Sequence, residues 1–356
     1  MEKIEGEELV LVEILTRLPV KSLGRFKSVS KKWLSLISDP HFVKSHLRRS
    51  LENCPSARHR ILISDPLHSV DFNGNQVKGR ISPPKSFEQP FELAGSCNGL
   101  ICLYIARETF AAINPTTGET RELPKPTHIP THANFFNGFG YDATTDDYKV
   151  VRGPQPTIGP QPEFIVEMFS FKANSWKRIE YDPELKVIEN GFFFNGCVHW
   201  LVTTCHGNSR YEQRVVSLDL ADEKFRVVIP LPDVAAPNVT FNGLNIIEGC
   251  FSTFSGGGTF GPDVEPVEVW VMREYGVKSS WTRLCRFTPH ALPKTCYLVT
   301  LLCFRDDGKV IFDVGGSRLV VYNPCNDNSR VIFPKSKKGS DYFYTVVYVE
   351  SLVSPN

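Results

Sequence analysis

Residues 169–180 read FSFKANSWKRIE: a short apolar strand, a polar turn, then a strand mixing basic and apolar side chains. The unit returns as INPTTGETRELP at 113–124, LDLADEKFRVVIP at 218–230, VMREYGVKSSWTRL at 271–284 and YNPCNDNSRVIFP at 322–334. Aligned on the residues that leave the turn (Thr120, Trp176, Phe225, Trp281 and Ser329), the copies lie 56, 49, 56 and 48 residues apart. A repeat near 50 residues with several strands per unit is the sign of kelch-type propeller blades. Dividing residues 61–356 by that period predicts roughly six blades. Five copies are visible. The sixth comes from HRILISDPLHSVDF at 59–72, closed by YFYTVVYVESLV at 342–353. Such closure hides the sheet edges that an open array would expose. A β sandwich, or two packed β domains, would show turn signals at short spacing but not this longer recurring unit.

The texture around the repeats agrees. From residue 61 onward, short runs rich in Val, Ile and aromatics alternate with Gly, Pro, Asn and Asp. Asn98-Gly99, Asn137-Gly138, Asn195-Gly196 and Asp307-Gly308 are read as hairpin turns. Aromatics at 12% and charged residues at 22% are ordinary for a soluble globular chain of 356 residues, which is long enough for one large domain and a small one. Net charge is +1, so no global field points to nucleic acid or an anionic membrane. No run of about 18 apolar residues exists, so no transmembrane helix is expected. The opening MEKIEGEELVLVEIL is acidic and its apolar stretch stops at Pro19, so it does not read as a signal peptide. Ten cysteines include no C-x-x-C pair, and most sit in runs such as GLICLYI and TLLCF. They read as reduced structural thiols of a cytoplasmic or nuclear protein.

The first 48 residues have a different period. EELVLVEILTRL is apolar at 11, 14, 15 and 18, one helical face, and Pro19 stops it. A second stripe runs through Leu23, Phe26, Val29, Trp33, Leu36 and Ile37; Ser38-Asp39-Pro40 breaks it, and HFVKSHL supplies one more short helix. Residues 49–60, RSLENCPSARHR, lack periodicity and read as a linker. Residues 17–49 carry nine Lys or Arg against one acid, Asp39. Basic helices of that kind can pair with phosphates. A protein-binding unit with a solvated basic face fits better, because the stripe is too large for a unit this small to bury alone.

Patterns that resemble catalytic or ligand motifs fail on context. GGGTFG at 256–261 is followed by PDVEPVEVW, which cannot start the helix a dinucleotide fingerprint needs. His128 and His132 would share a face only on a helix, and Pro130 between them forbids one. His199 lies in a strand, NGCVHWLV, and reads as a buried or rim histidine. The Asp146-Asp147 and Asp306-Asp307 pairs sit at turns, without the spaced carboxylates of a calcium loop. Trp176 and Trp281 occupy one equivalent position and are expected to pack between blades. No catalytic set, metal set or cofactor site is nominated. A propeller enzyme would require convergent carboxylates, or His and Tyr ligands, around the central channel.

The segment VEILTRLPVKSLGRFKSVSKKWLSLISDPHFVKSHL at 12–47 resembles a plant F-box. The pieces that carry the likeness are Ile14-Leu15, Arg17 through Leu23, Arg25-Phe26, Val29-Ser30-Lys31, Trp33, and Leu36 through Pro40 with Phe42. The β region is similar to the kelch-like F-box-associated domain of the same proteins, through SCNGLICL, NPTTGETRELP, GFGYDATTDDYKVVR, NSWKRI, NGCVHWL and YNP. Immunity-related F-box/kelch receptors and pollen S-locus F-box proteins share this layout. The expected architecture is mainly β: a kelch-like β-propeller over 61–353, preceded by a small all-α F-box domain over 5–48 and the linker 49–60. The resemblance implies a non-catalytic substrate receptor of a Skp–cullin–F-box ubiquitin ligase. The F-box would dock a Skp-type adaptor, and through it a cullin and a RING subunit; the propeller would hold a protein substrate, with no nucleic acid or membrane span involved. Leu15, Leu18, Pro19, Val20, Leu23, Phe26, Val29, Trp33, Leu36, Ile37 and Phe42 are the residues expected to form the F-box core and adaptor groove. Gly6-Glu7-Glu8 and Gly24 depart from the family pattern. The connections 125–136, 152–163, 205–211 and 255–266 are the expected substrate loops, since long loops are often functional.

Overall fold

In the computed structural model the apolar stripes of the first 52 residues become four helices. They are α1 (Glu2–Leu15), α2 (Val20–Phe26), α3 (Lys31–Ser38) and α4 (Pro40–Glu52). The structure describes residues 2–52, 59–64, 67–75, 91–128, 134–155, 164–185, 187, 190–206, 210–233, 240–256, 264–292, 299–333 and 343–356. The polar residues between the stripes act as caps. Ser30 Oγ accepts the Trp33 backbone N–H, and Asp39 Oδ1 accepts from His41 and Phe42, which starts α4 with Pro40 in its first turn. α1 ends at Leu15, four residues before the Pro19 expected to stop it, and Pro19 is instead the N-cap of α2. Two boundaries differ from the sequence reading. The last helix is 13 residues long and takes up 49–52, while His59 and Arg60 already belong to the first strand. What remains of the expected linker, 53–58, lies outside the described residues.

Strands fill the rest as six sheets. β1 (His59–Ser64) and β2 (Leu67–Val70) form a hairpin. Five four-stranded blades follow, each an antiparallel meander. The first is β3 (Phe91–Cys97), β4 (Leu100–Ile105), β5 (Thr109–Ile113) and β6 (Thr120–Glu122). The next two are β7 (Phe135–Asp142), β8 (Asp147–Pro154), β9 (Val166–Ser170), β10 (Ser175–Ile179), and β11 (Phe192–Phe194), β12 (Cys197–His206), β13 (Arg210–Asp219), β14 (Lys224–Ile229). The last two are β15 (Phe241–Ile247), β16 (Cys250–Ser255), β17 (Val267–Met272), β18 (Trp281–Phe287), and β19 (Val299–Phe304), β20 (Val310–Val314), β21 (Arg318–Asn323), β22 (Asn328–Phe333). β23 (Thr345–Val349) then pairs with β1, from His59 opposite Val349 to Ile63 opposite Thr345. The chain's first and last strands therefore share one blade, which closes the ring.

The five repeat marks land where the alignment put them. Thr120, Trp176, Phe225, Trp281 and Ser329 are each the first or second residue of the fourth strand of a blade. The two tryptophans tie neighbouring blades together. Trp176 Nε1–H donates to the Pro124 carbonyl and Trp281 Nε1–H to the Pro230 carbonyl, both at 2.7 Å. Each proline follows the fourth strand of the preceding blade, so one indole supplies both packing area and a satisfied donor.

The turn readings divide. Asn98-Gly99 and Asn195-Gly196 are two-residue turns with positive φ at both positions, as a type I′ hairpin requires. Gly308 has φ +75°, in the turn before β20. Asn137-Gly138 is not a turn: both residues lie inside β7. A Cβ on Gly138 would stand 2.7 Å from Val198 and 2.9 Å from Trp200 and Val151, so this glycine permits close packing of two blades. Glu248-Gly249, with φ +52° and +72°, makes the corresponding turn between β15 and β16.

Candidate functional site

Strand direction gives the ring two unlike faces. In the five four-stranded blades the first strand ends at a tight turn, as at 98–99, 143–146 and 195–196, and the chain crosses between blades at the other face. The helical unit sits on the tight-turn face. Lys44 of α4 pairs with Asp146 at 2.8 Å, and Leu47 joins the core cluster of Cys97, Leu100, Phe139 and Val349. α2 faces Pro115–Glu119, in the turn between β5 and β6.

The eleven residues expected to build the helical unit and its docking groove separate by burial. Leu15, Val20, Leu23, Ile37 and Phe42 are buried and form the unit's own core. Leu18, Phe26, Trp33 and Leu36 are half-buried around it. Phe26 and Trp33 meet edge to face, with centroids 5.2 Å apart. Only Pro19 and Val29 are exposed. His46, buried, donates through Nε2 to the Leu18 carbonyl at 2.9 Å and so holds the turn between α1 and α2. Gly24 is exposed, and a Cβ there would meet nothing within 4 Å. Gly6, Glu7 and Glu8 lie in α1, but their side chains are outside the described residues.

A second apolar surface was not expected. Leu9, Val10 and Ile14 on α1 are 71%, 60% and 53% exposed, and Leu34 on α3 is 47% exposed. Leu9, Val10 and Ile14 line a shallow apolar depression with Glu13, Arg17 and Leu18. Ile14 therefore belongs to the outer face, not to the inward stripe with Leu11 and Leu15. Arg17 and Arg49 both bond Glu13, which lowers its carboxyl pKa and fences the depression with charge. Six of the nine exposed large apolar side chains among the described residues lie between 9 and 51, a concentration that marks an interaction surface. The sequence signal was present: EELVLVEIL is apolar nearly all round, more than one buried face requires.

The four connections expected to bind substrate share one location. Each joins β6 to β7, β8 to β9, β12 to β13 or β16 to β17, and each is flanked by strand ends on the face away from the helices. The 205–211 stretch is not a long loop: β12 runs to His206 and β13 starts at Arg210, because the two strands pair to their ends. Residues 129–133, 156–163, 207–209 and 257–263 lie outside the described residues, as does His132. Below these ends, Arg152 is buried with its guanidinium carbon 3.7 Å from the Phe135 ring centroid. Nearby Glu167 accepts instead from Thr127 and from the His128 backbone N–H. His199 is fully buried; Nε2 meets the Tyr275 hydroxyl at 2.6 Å and Nδ1 the Phe192 carbonyl at 3.2 Å, and burial pushes its pKa down to about 4. It is a structural link between neighbouring blades. Cys97, Cys102, Cys197, Cys250, Cys285, Cys303 and Cys325 are free; Cys97 and Cys102 are buried, Cys325 is exposed, and Cys54 and Cys296 lie outside the described residues.

Comparison with known proteins gives the same division of the chain. The family described as the F-box domain matches residues 8–45, and the F-box associated beta propeller domain matches residues 59–315. The Arabidopsis thaliana F-box protein CPR1 is 31% identical over 341 residues, covering 88% of this chain and 81% of that one. An F-box/kelch-repeat protein of the same plant is 27% identical over 379 residues, covering 98% and 95%. Two joined domains, a four-helix unit with an uncovered apolar face and a six-bladed β-propeller, thus identify the chain as a member of the F-box proteins that carry an F-box-associated propeller.

Proposed function

We propose that this chain is the substrate-recognition subunit of a Skp–cullin–F-box ubiquitin ligase. One observation carries the reading: the F-box leaves Leu9, Val10 and Ile14 uncovered beside the half-buried Leu18. A small unit with a closed core and a second apolar face is suited to a partner's groove. The Skp-type adaptor is that partner, and it brings the cullin and RING subunit. The buried residues hold the face in shape; the exposed ones make the contact. The far rim of the propeller, with its long connections, holds the protein to be modified. The chain supplies proximity and orientation, while the thioester chemistry belongs to other subunits. Such a receptor would work in the cytoplasm or nucleus.

Co-expression with a plant Skp-type adaptor, followed by size-exclusion chromatography, tests this. The expected result is a stoichiometric complex, lost when Leu9→Asp and Ile14→Asp are combined. A folded wild-type chain that elutes without the adaptor would overturn the reading.

A further inference from the structure

The residues after β23 join the two domains. Adjacent side chains enter different cores: Leu352 packs with Leu15, Leu23 and Ile37 of the F-box, whereas Val353 packs with Cys97, Leu100 and Val349 of the propeller. Leu352 retains 6% exposure, and Ser351, between Glu350 and that leucine, is fully buried. The backbone is held as well. Asn114 Nδ2 donates to the carbonyls of Ser351 at 3.0 Å and Val353 at 2.7 Å. Its Oδ1 accepts from Thr116 and Thr117 and closes its own turn. Arg60 pairs with Glu350 at 3.2 Å, and Arg121 donates to the Pro355 carbonyl. Gly99, at φ +84°, makes room: a Cβ there would come 2.3 Å from Ser351 Oγ and 2.6 Å from the Val349 carbonyl oxygen.

We propose that Glu350–Val353 is a built-in strap that fixes the F-box to the propeller as one rigid body. Domains joined by an exposed linker move relative to each other by default. Here the F-box cannot leave without uncovering Leu352 and the Leu23 side of its own core. An F-box of about 45 residues is too small to offset that loss from its own packing. The Lys44–Asp146 pair and Leu47 secure the same junction from α4. Resting on the receptor reading, the consequence is functional. The adaptor face and the far rim stay at a set separation, so the site of ubiquitin transfer is decided by where the substrate sits on the rim.

Distance measurement by pulsed electron spin resonance decides this, with labels carried on unnatural amino acids in place of Ser35 on α3 and Thr282 on β18, both exposed. No adaptor or substrate is added, so the outcome is independent of the ligase reading; conversely, failure to bind the adaptor leaves this distance unaffected. The wild-type chain is expected to give one narrow distribution. Asn114→Asp keeps the oxygen that closes the turn but sets a carboxylate oxygen against two carbonyls; Leu352→Ala removes the plug without touching the turn. Each is expected to broaden the distribution about twofold or more, towards the freedom of linked domains, while the propeller's circular dichroism is retained. A broad wild-type distribution overturns the strap outright, whether or not the variants fold. So do variants that fold and stay as narrow as wild type.

Discussion

Replacing Leu9, Val10 and Ile14 together by alanine separates docking from folding. Fully burying one aliphatic side chain stabilises by about 1.5–3 kcal/mol. These three retain 71%, 60% and 53% exposure, so that fraction of each is still available to a partner. Covering it gains about 3–5 kcal/mol for the trio; alanine keeps its Cβ contact, which leaves a loss of about 2–4 kcal/mol. The dissociation constant for a Skp-type adaptor should therefore rise by about 30- to 1,000-fold. Folding should change far less, because the side chains are more than half in water and alanine is the better helix former, so unfolding free energy should fall by about 1 kcal/mol or less. Leu23→Ala is the opposite case. Leu23 is fully buried, so its truncation should cost about 2.7–5 kcal/mol of stability. Isothermal titration calorimetry with purified adaptor, paired with urea melts of the free receptor, reads both quantities. The reasoning is refuted if the folded triple variant binds as tightly as wild type. It is equally refuted if its stability falls as far as that of Leu23→Ala.

Three further outcomes are expected. Gly24→Ala should stabilise the chain by about 0.5–1 kcal/mol, because Gly24 lies in a helix with no atom near the added Cβ; an unchanged urea midpoint would contradict this. Burial raises the Asp313 carboxyl pKa to about 6 despite donors from Thr345 and Gly316, so folding favours its protonated form and stability is lost as pH rises through 6. Asp313→Asn should then stabilise by about 1–3 kcal/mol at pH 7.5, with the gain shrinking as pH falls from 6 towards 4 in melts across that range. Lys149 is buried, lies 3.1 Å from Asp142 and 3.2 Å from Glu223, and donates to the Leu220 carbonyl. Lys149→Met should cost about 3–5 kcal/mol by leaving the buried Asp142 carboxylate without its cation, while Glu223 keeps Lys177, and a melt within 1 kcal/mol of wild type would show that the network is solvated.

The propeller was readable because its evidence is local and repeated. Each of the five four-stranded blades carries its own turn and a fourth strand with at least one Lys or Arg, so five weak signals at one spacing reinforce one another. What failed to read was set by contacts between distant residues. Asn137-Gly138 has the composition of a turn, yet Trp200 and Val198 need the space above Gly138, and packing overrides the local preference. The helical stripes showed which residues are apolar but not which face the chain itself covers: Leu15 and Ile14 are neighbours in one sequence pattern, yet one is 1% and the other 53% exposed. The stripe looked too large for its domain because part of its cover, Leu352, arrives from the other end of the chain. An isolated F-box sequence therefore understates its own stability, since its core is completed by a residue that only closure of the propeller brings into place. β23 pairs with β1 and runs directly into Glu350–Val353, which lies across Asn114, so one segment both closes the ring and delivers Leu352 to the F-box core.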